Sequence, residues 1–229
     1  MKKLFNYFTK FEIGLWISSV LLILISFCIF DRENYMTLIA SLIGATFLIF
    51  NAKGNPIGQL LTMVFGLLYA IISYEYAYYG EMITYMGMTF PMAFVAFVSW
   101  LKNPYKDNKA EVKVNRLPKK EIPFMIALTI VVTVIFYFVL RYFNTANVVP
   151  STVSVTTSFI AVYLTFRRSP YFALAYAMND VVLIVLWILA SITDISYLSV
   201  VICFIVFFVN DMYGFISWKQ MEKRQKLNM

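Results

Sequence analysis

Apolar residues fall into eight runs along the chain, at about 14–30, 36–51, 57–78, 81–101, 122–142, 148–166, 170–191 and 197–218, separated by short polar or charged breaks. At about 1.5 Å of rise per residue, helices of this length match a hydrocarbon core about 30 Å thick. The pattern predicts an all-α integral membrane protein with about eight transmembrane helices. Two runs carry polar pairs deep inside them, Asn179-Asp180 and Asn210-Asp211. Measured along ideal helices, Asp180 lies roughly 15 Å from Pro170 and Asp211 roughly 11 Å from Trp218. Those two ends should be on the same side, so both carboxyls sit near mid-membrane at similar depth. A carboxylate there costs at least about 2.5 kcal/mol and normally faces a cavity, a partner or a substrate path.

Composition agrees with this picture. The 229 residues are 61% hydrophobic, 18% aromatic and 14% charged, against about a quarter charged in a soluble domain. The first run follows Lys2, Lys3 and Lys10 and lacks a small-residue cleavage site, so it reads as a retained helix. The net charge of +7 is concentrated in a few connections, which points to membrane topology and not to nucleic acid. Lys53, the segment 102–120, Arg167-Arg168 and the tail lie on one side with the N-terminus, while Asp31-Arg32-Glu33, Glu81 and Asp194 lie on the other. By the positive-inside rule both termini are cytoplasmic in a multi-pass cell-membrane protein. Residues 102–121, with Pro104 and Pro118 among their charges, read as a solvated basic linker.

The two sides of that linker look alike. Asn55-Pro56 and Ser169-Pro170 each open a run, and Phe97-Val98-Ser99-Trp100 and Phe215-Ile216-Ser217-Trp218 each close the next. Pro170 follows Pro56 by 114 residues and Trp218 follows Trp100 by 118. An even number of spans between them makes this a parallel duplication, a transporter architecture with its site between the halves. The expected organisation is an N-terminal segment and helix (1–35), a three-helix bundle (36–101), the basic linker (102–121), a connecting helix (122–147), a second bundle (148–218) and a cytoplasmic tail (219–229).

Candidate chemistry gathers on the seventh and eighth runs. Adjacent helical residues point about 100° apart, so one member of each Asn-Asp pair is expected to meet substrate while the other bonds between helices; the alternative is that both acids only join helices. Tyr176 and Trp187 lie on the face of Asp180, and acid beside aromatic rings suits a flat, polar ring that can carry positive charge. From the first half, Gln59, Thr62, Tyr85 and Thr89 would add neutral hydrogen bonds, with Pro91 bending the helix. Asn179 and Asn210 would do the same from the second. Glu75 and Glu81 read as solvated carboxylates near the outer surface, and Ser151, Thr152, Ser154, Thr156, Thr157 and Ser158 as a packing face. With no His, imidazole chemistry is excluded. No phosphate-binding loop or G-x-S-x-G elbow is present, so neither an ATP-driven pump nor a serine hydrolase is indicated, and no cofactor or metal is expected. A proton-coupled carrier and an intramembrane enzyme remain the competing classes.

The hairpin after Asn55-Pro56, the polar seventh run and the closing Tyr213-Gly214-Phe215-Ile216-Ser217-Trp218-Lys219 together resemble the PnuC family of vitamin transporters, over about residues 51–219. The resemblance implies two parallel three-helix bundles joined by a linker helix, as in a fused SWEET transporter, assembled as a homotrimer. It also implies facilitated diffusion of nicotinamide riboside, with thiamine, riboflavin or deoxynucleosides carried by relatives, and trapping by a separate cytoplasmic kinase. Nicotinamide riboside members carry a W-x-x-W pattern ahead of the polar residue. Here Ala173 and Tyr176, or Phe172 and Ala175, stand at those places, a departure at the substrate-reading helix.

Overall fold

The computed structural model describes residues 7–75, 79–106, 108–145 and 147–228; Lys2, Lys3 and the side chain of Glu75 lie outside them. Its eight spans follow the eight apolar runs. They are α1 (Lys10–Phe30), α2 (Tyr35–Ala52), α3 (Pro56–Glu75), a fourth span made of α4 (Tyr79–Thr84) and α5 (Phe90–Lys102), then α6 (Ile122–Tyr142), α7 (Val148–Phe166), α8 (Phe172–Ser191) and α9 (Leu198–Leu227). The ends of the helices that carry Lys53, Arg167 and the chain's last residues form a basic end; Asp31, Glu81 and Asp194 mark the opposite, acidic end.

Pro91 shapes the fourth span. It has no N–H to bond back one turn, and the helix widens just before it into a π turn, Tyr85–Thr89, in which the Phe90 N–H reaches the Tyr85 carbonyl. Such a bulge re-aims side chains without ending the helix. It turns Tyr85 and Thr89 toward the interior.

Helices α2, α3 and α5 pack together, as do α7, α8 and α9; α2 also packs on α9 and α5 on α7, so the two groups interlock. Helix α6 lies along α7 and leaves Ile126, Ile130, Val134 and Phe138 exposed. The first helix is part of the body. A capping box of Thr9 and Glu12 starts it, and Glu12 also meets Lys53 Nζ at 3.3 Å and accepts from Tyr213 Oη at 2.8 Å.

At the basic end the two groups exchange equivalent bonds. The last carbonyls of a helix have no partner within it. Those of α2 are capped from α9, with Trp218 Nε1 donating to Asn51 O (2.7 Å) and Ser217 Oγ to Ala52 O (2.7 Å). Those of α7 are capped from α5, with Trp100 Nε1 donating to Thr165 O (2.9 Å) and Ser99 Oγ to Phe166 O (3.1 Å). The two indoles meet with centroids 5.3 Å apart, and both are fully buried. The turns that follow match as well: Gly54 (φ 66°) and Arg168 (φ 56°) both take the left-handed conformation. Glycine adopts it freely, whereas Arg168 is held by its own bonds to Ser99 Oγ and Lys113 O.

The segment expected to be a solvated linker is instead an ordered clasp. Pro104–Tyr105 and Asn108–Val112 form an antiparallel hairpin. Val112 N donates to Gly54 O at 2.9 Å and Asn115 N to Arg168 O at 3.0 Å, so the clasp bonds the same carbonyl of both turns. Helix α9 does not stop at the membrane but continues through the expected tail to Leu227. There buried Gln225 accepts from Val114 N (2.8 Å) and donates to Val112 O (3.0 Å), and Glu222 pairs with Arg116.

Replacing Trp218 by Phe keeps the ring but leaves the buried Asn51 carbonyl with only its turn bond from Gly54 N. We expect a loss of about 1 kcal/mol, seen as a lower thermal midpoint in detergent, with Trp100→Phe giving a similar loss at the other cap, where Thr165 O keeps its bond from Arg168 N. Unchanged midpoints in both variants would mean that the caps do not hold the two groups together.

Candidate substrate-binding site

Between the two helix groups lies an internal cavity. Asp180, Asn179 and Tyr176 reach it from α8, Asp211 and Phe207 from α9, Tyr85 and Thr89 from the π turn, Thr62 and Phe65 from α3, and Glu81 and Thr84 from α4. Asn51 of α2 and Ser154 and Ser158 of α7 complete the wall. Asn51 links this space to the caps below: its side chain accepts from Gln59 Nε2 at 2.9 Å while its carbonyl accepts from Trp218.

Asp180 and Asp211 are both buried, and their carboxyls face each other within hydrogen-bonding reach. Asp180 Oδ2 has no hydrogen-bond partner. Two carboxylates this close in a buried site repel unless they share a proton or a cation comes between them. Aromatic rings line the same cavity. Tyr85 stands 4.5 Å from Tyr69 and 6.2 Å from Phe65 between ring centroids, and Phe65 stands 5.9 Å from Phe207. No Lys or Arg is among the described residues that line the cavity.

Of the residues singled out in the sequence, the structure brings Asp180, Asn179, Tyr176, Asp211, Tyr85 and Thr89 together around this space. Asn179 does two things at once, since its Oδ1 accepts from Thr157 Oγ1 (2.8 Å) and Ser154 Oγ (3.2 Å) of α7. Three candidates lie elsewhere. Asn210 points 100° away from Asp211 and donates to Ser19 Oγ of α1 at 2.9 Å and to Val206 O at 2.8 Å. Gln59 is buried beneath the wall against Asn51. Trp187 has the right face but sits roughly 10 Å nearer the acidic end than Asp180, beside Tyr197.

Glu81 was missed. Its place near the end of an apolar run suggests solvent, yet it is half-buried and borders the cavity. The signal is its neighbour Gly80: a Cβ there would come within 2.3 Å of Thr145 Oγ1 and 2.5 Å of Leu140 Cδ2. Glycine lets the start of α4 press against the end of α6, beside the cavity wall that Glu81 joins. Ser154 and Ser158, read as packing residues, also face the cavity; Tyr176 lines it while Phe172 and Ala173 pack against Trp100 and Trp218.

Eight apolar spans around a buried polar cavity define a multi-pass membrane transporter. Residues 34–220 match the family described as nicotinamide mononucleotide transporter, and the chain belongs to that family. It is 27% identical over 228 residues to the nicotinamide riboside transporter PnuC of Neisseria mucosa, covering 97% of this chain and 86% of the relative. Its fold is that of the crystal structure of the vitamin B3 transporter PnuC, with a TM-score of 0.81 at 24% identity over 95% of this chain and 94% of that one. A family of transporters places this chain outside the enzymes.

Facing carboxylates cost stability unless something bridges them. Replacing Asp180 by Asn removes one charge and provides a donor to Asp211, and we expect it to stabilise the ligand-free protein by roughly 1–3 kcal/mol. Thermal unfolding in detergent would show a higher midpoint. A lower one would mean that the carboxyls are mutually satisfied and not strained.

Proposed function

We propose that the chain carries nicotinamide riboside by facilitated diffusion, and that it takes the riboside in preference to the mononucleotide of the family description. The observation that carries this is the charge of the cavity: Glu81, Asp180 and Asp211 with no basic side chain among the described lining residues. A pyridinium ring brings a fixed positive charge to that space and a π face to Tyr85 and Tyr176. Phosphate, by contrast, calls for Arg, Lys or a helix N-terminus, and three carboxylates would repel it. The name of the Neisseria relative supports the same substrate.

In this reading the basic end is cytoplasmic, as the positive-inside rule requires. The two three-helix groups, parallel copies of one unit, rock about the cavity to open it alternately to either side. The sequence holds no nucleotide-binding loop, so accumulation depends on a separate kinase that phosphorylates the riboside after release. A homotrimer would use exposed apolar side chains such as those of α6. Thiamine also carries a cationic ring and is the nearest competitor; neutral riboflavin and deoxynucleosides gain nothing from the acids. The facing carboxyls also favour a second reading, a proton-coupled carrier, in which Asp211→Asn would abolish any dependence of exchange on external pH.

Calorimetry on the purified protein tests the choice. Nicotinamide riboside is expected to bind, nicotinamide mononucleotide at least about tenfold more weakly, and Asp211→Asn to weaken the riboside by about tenfold, or 1.4 kcal/mol. Equal affinity for riboside and mononucleotide would overturn the assignment, and tighter binding of thiamine would move it to that vitamin.

A further inference from the structure

A second, smaller cavity opens at the acidic end, where the start of α4, the α6–α7 connection and the last turns of α8 meet. Glu81, Thr145, Asn147, Ser151, Leu186 and Trp187 form its walls. Among the described residues, Glu81 alone borders both this cavity and the central one. It lies within the first turn of α4 and so stands between the acidic surface and the buried acids.

The walls have the chemistry of a cation site. A carboxylate and an indole together attract a flat cation through charge and through the ring's negative face, and partial burial leaves that attraction less screened than it would be in bulk water. Trp187 is braced for the part: its ring packs at 5.4 Å against Tyr197 and its base against the main apolar core. Thr145, packed against Gly80, closes the side of this space next to Glu81.

We infer that this vestibule is an outer binding site for the cationic ring, in which Glu81 and Trp187 hold the pyridinium before it passes Glu81 into the central cavity. The inference rests on the proposed cationic substrate and on the acidic end facing outward. Such a station raises the local concentration of cation at the mouth. It therefore acts on apparent affinity for uptake and not on the rate at saturation, and it favours a charged ring over a neutral one of the same shape.

Initial rates of uptake into proteoliposomes decide it, using nicotinamide riboside and its dihydro form, which has the same skeleton with an uncharged ring. Glu81→Gln is expected to raise KM for the cation about tenfold and that of the neutral analogue far less. The maximal rate is tested by Trp187→Phe, at a position outside the central cavity, and is expected within about twofold of the parent. Glu81→Asp, which keeps the charge, should recover most of the loss, and Trp187→Phe should raise KM for the cation about threefold. The vestibule is overturned if Glu81→Gln affects both substrates equally or neither, or if Glu81→Asp fails to the same extent. Should the parent carry only the cation, the Asp and Gln variants decide between them; should Glu81→Gln fail to fold, an unchanged KM in Trp187→Phe overturns the proposal. A parent that transports neither compound would instead remove the proposed function itself.

Discussion

The carbonyls that end α2 and α7 have no partners within their own helices, and each helix group supplies the Ser-Trp pair that caps the other's. Asn51 O and Ala52 O take Trp218 and Ser217; Thr165 O and Phe166 O take Trp100 and Ser99. Because the bonds are reciprocal, neither group can be positioned without its counterpart. The clasp repeats the logic by bonding Gly54 O and Arg168 O. Asn51 then carries the constraint upward, since the residue whose carbonyl is capped also lines the cavity.

Above that anchored end the polar interior is left strained where the substrate is proposed to bind. Asn179 accepts from α7 and Asn210 donates to α1, while the two acids beside them face each other, and Asp180 Oδ2 and Asn210 Oδ1 are left without a hydrogen-bond partner. Buried groups that cost stability are retained where activity needs them. A cation would offset the cost for both carboxyls at once, which makes the arrangement more than a means of joining helices, for which Asn or Ser would serve.

Much of the scaffold is legible in the chain. The apolar runs locate the helices because backbone groups in a membrane must be satisfied within the segment, and Pro91 marks an irregularity through its missing N–H, although its form, a π turn and not a simple bend, emerges only in the structure. Asp180 and Asp211 stand out because charge at mid-depth is rare. What the sequence hides depends on contacts between distant segments. Trp187 shares a face with Asp180 but not its depth. Asn210 faces α1, whose Ser19 lies 191 residues away. Glu81 sits by the cavity wall because Gly80 admits Thr145 and Leu140 to close quarters. The clasp has no strong apolar pattern: besides Val112, Val114 and Leu117 it is held by backbone bonds to two turns and by Gln225, Glu222 and Arg224 of α9, partners that no local period reveals.

The central claim is that the acid pair holds a cationic ring between the two helix groups. A structure of the protein with nicotinamide riboside bound would test it most directly. The account expects the pyridinium between Asp180 and Asp211, with Tyr85 or Tyr176 against its face and Asn179 at its polar edge. A ring bound away from both carboxyls, or a ribose in their place with the ring packed only on apolar walls, would contradict it.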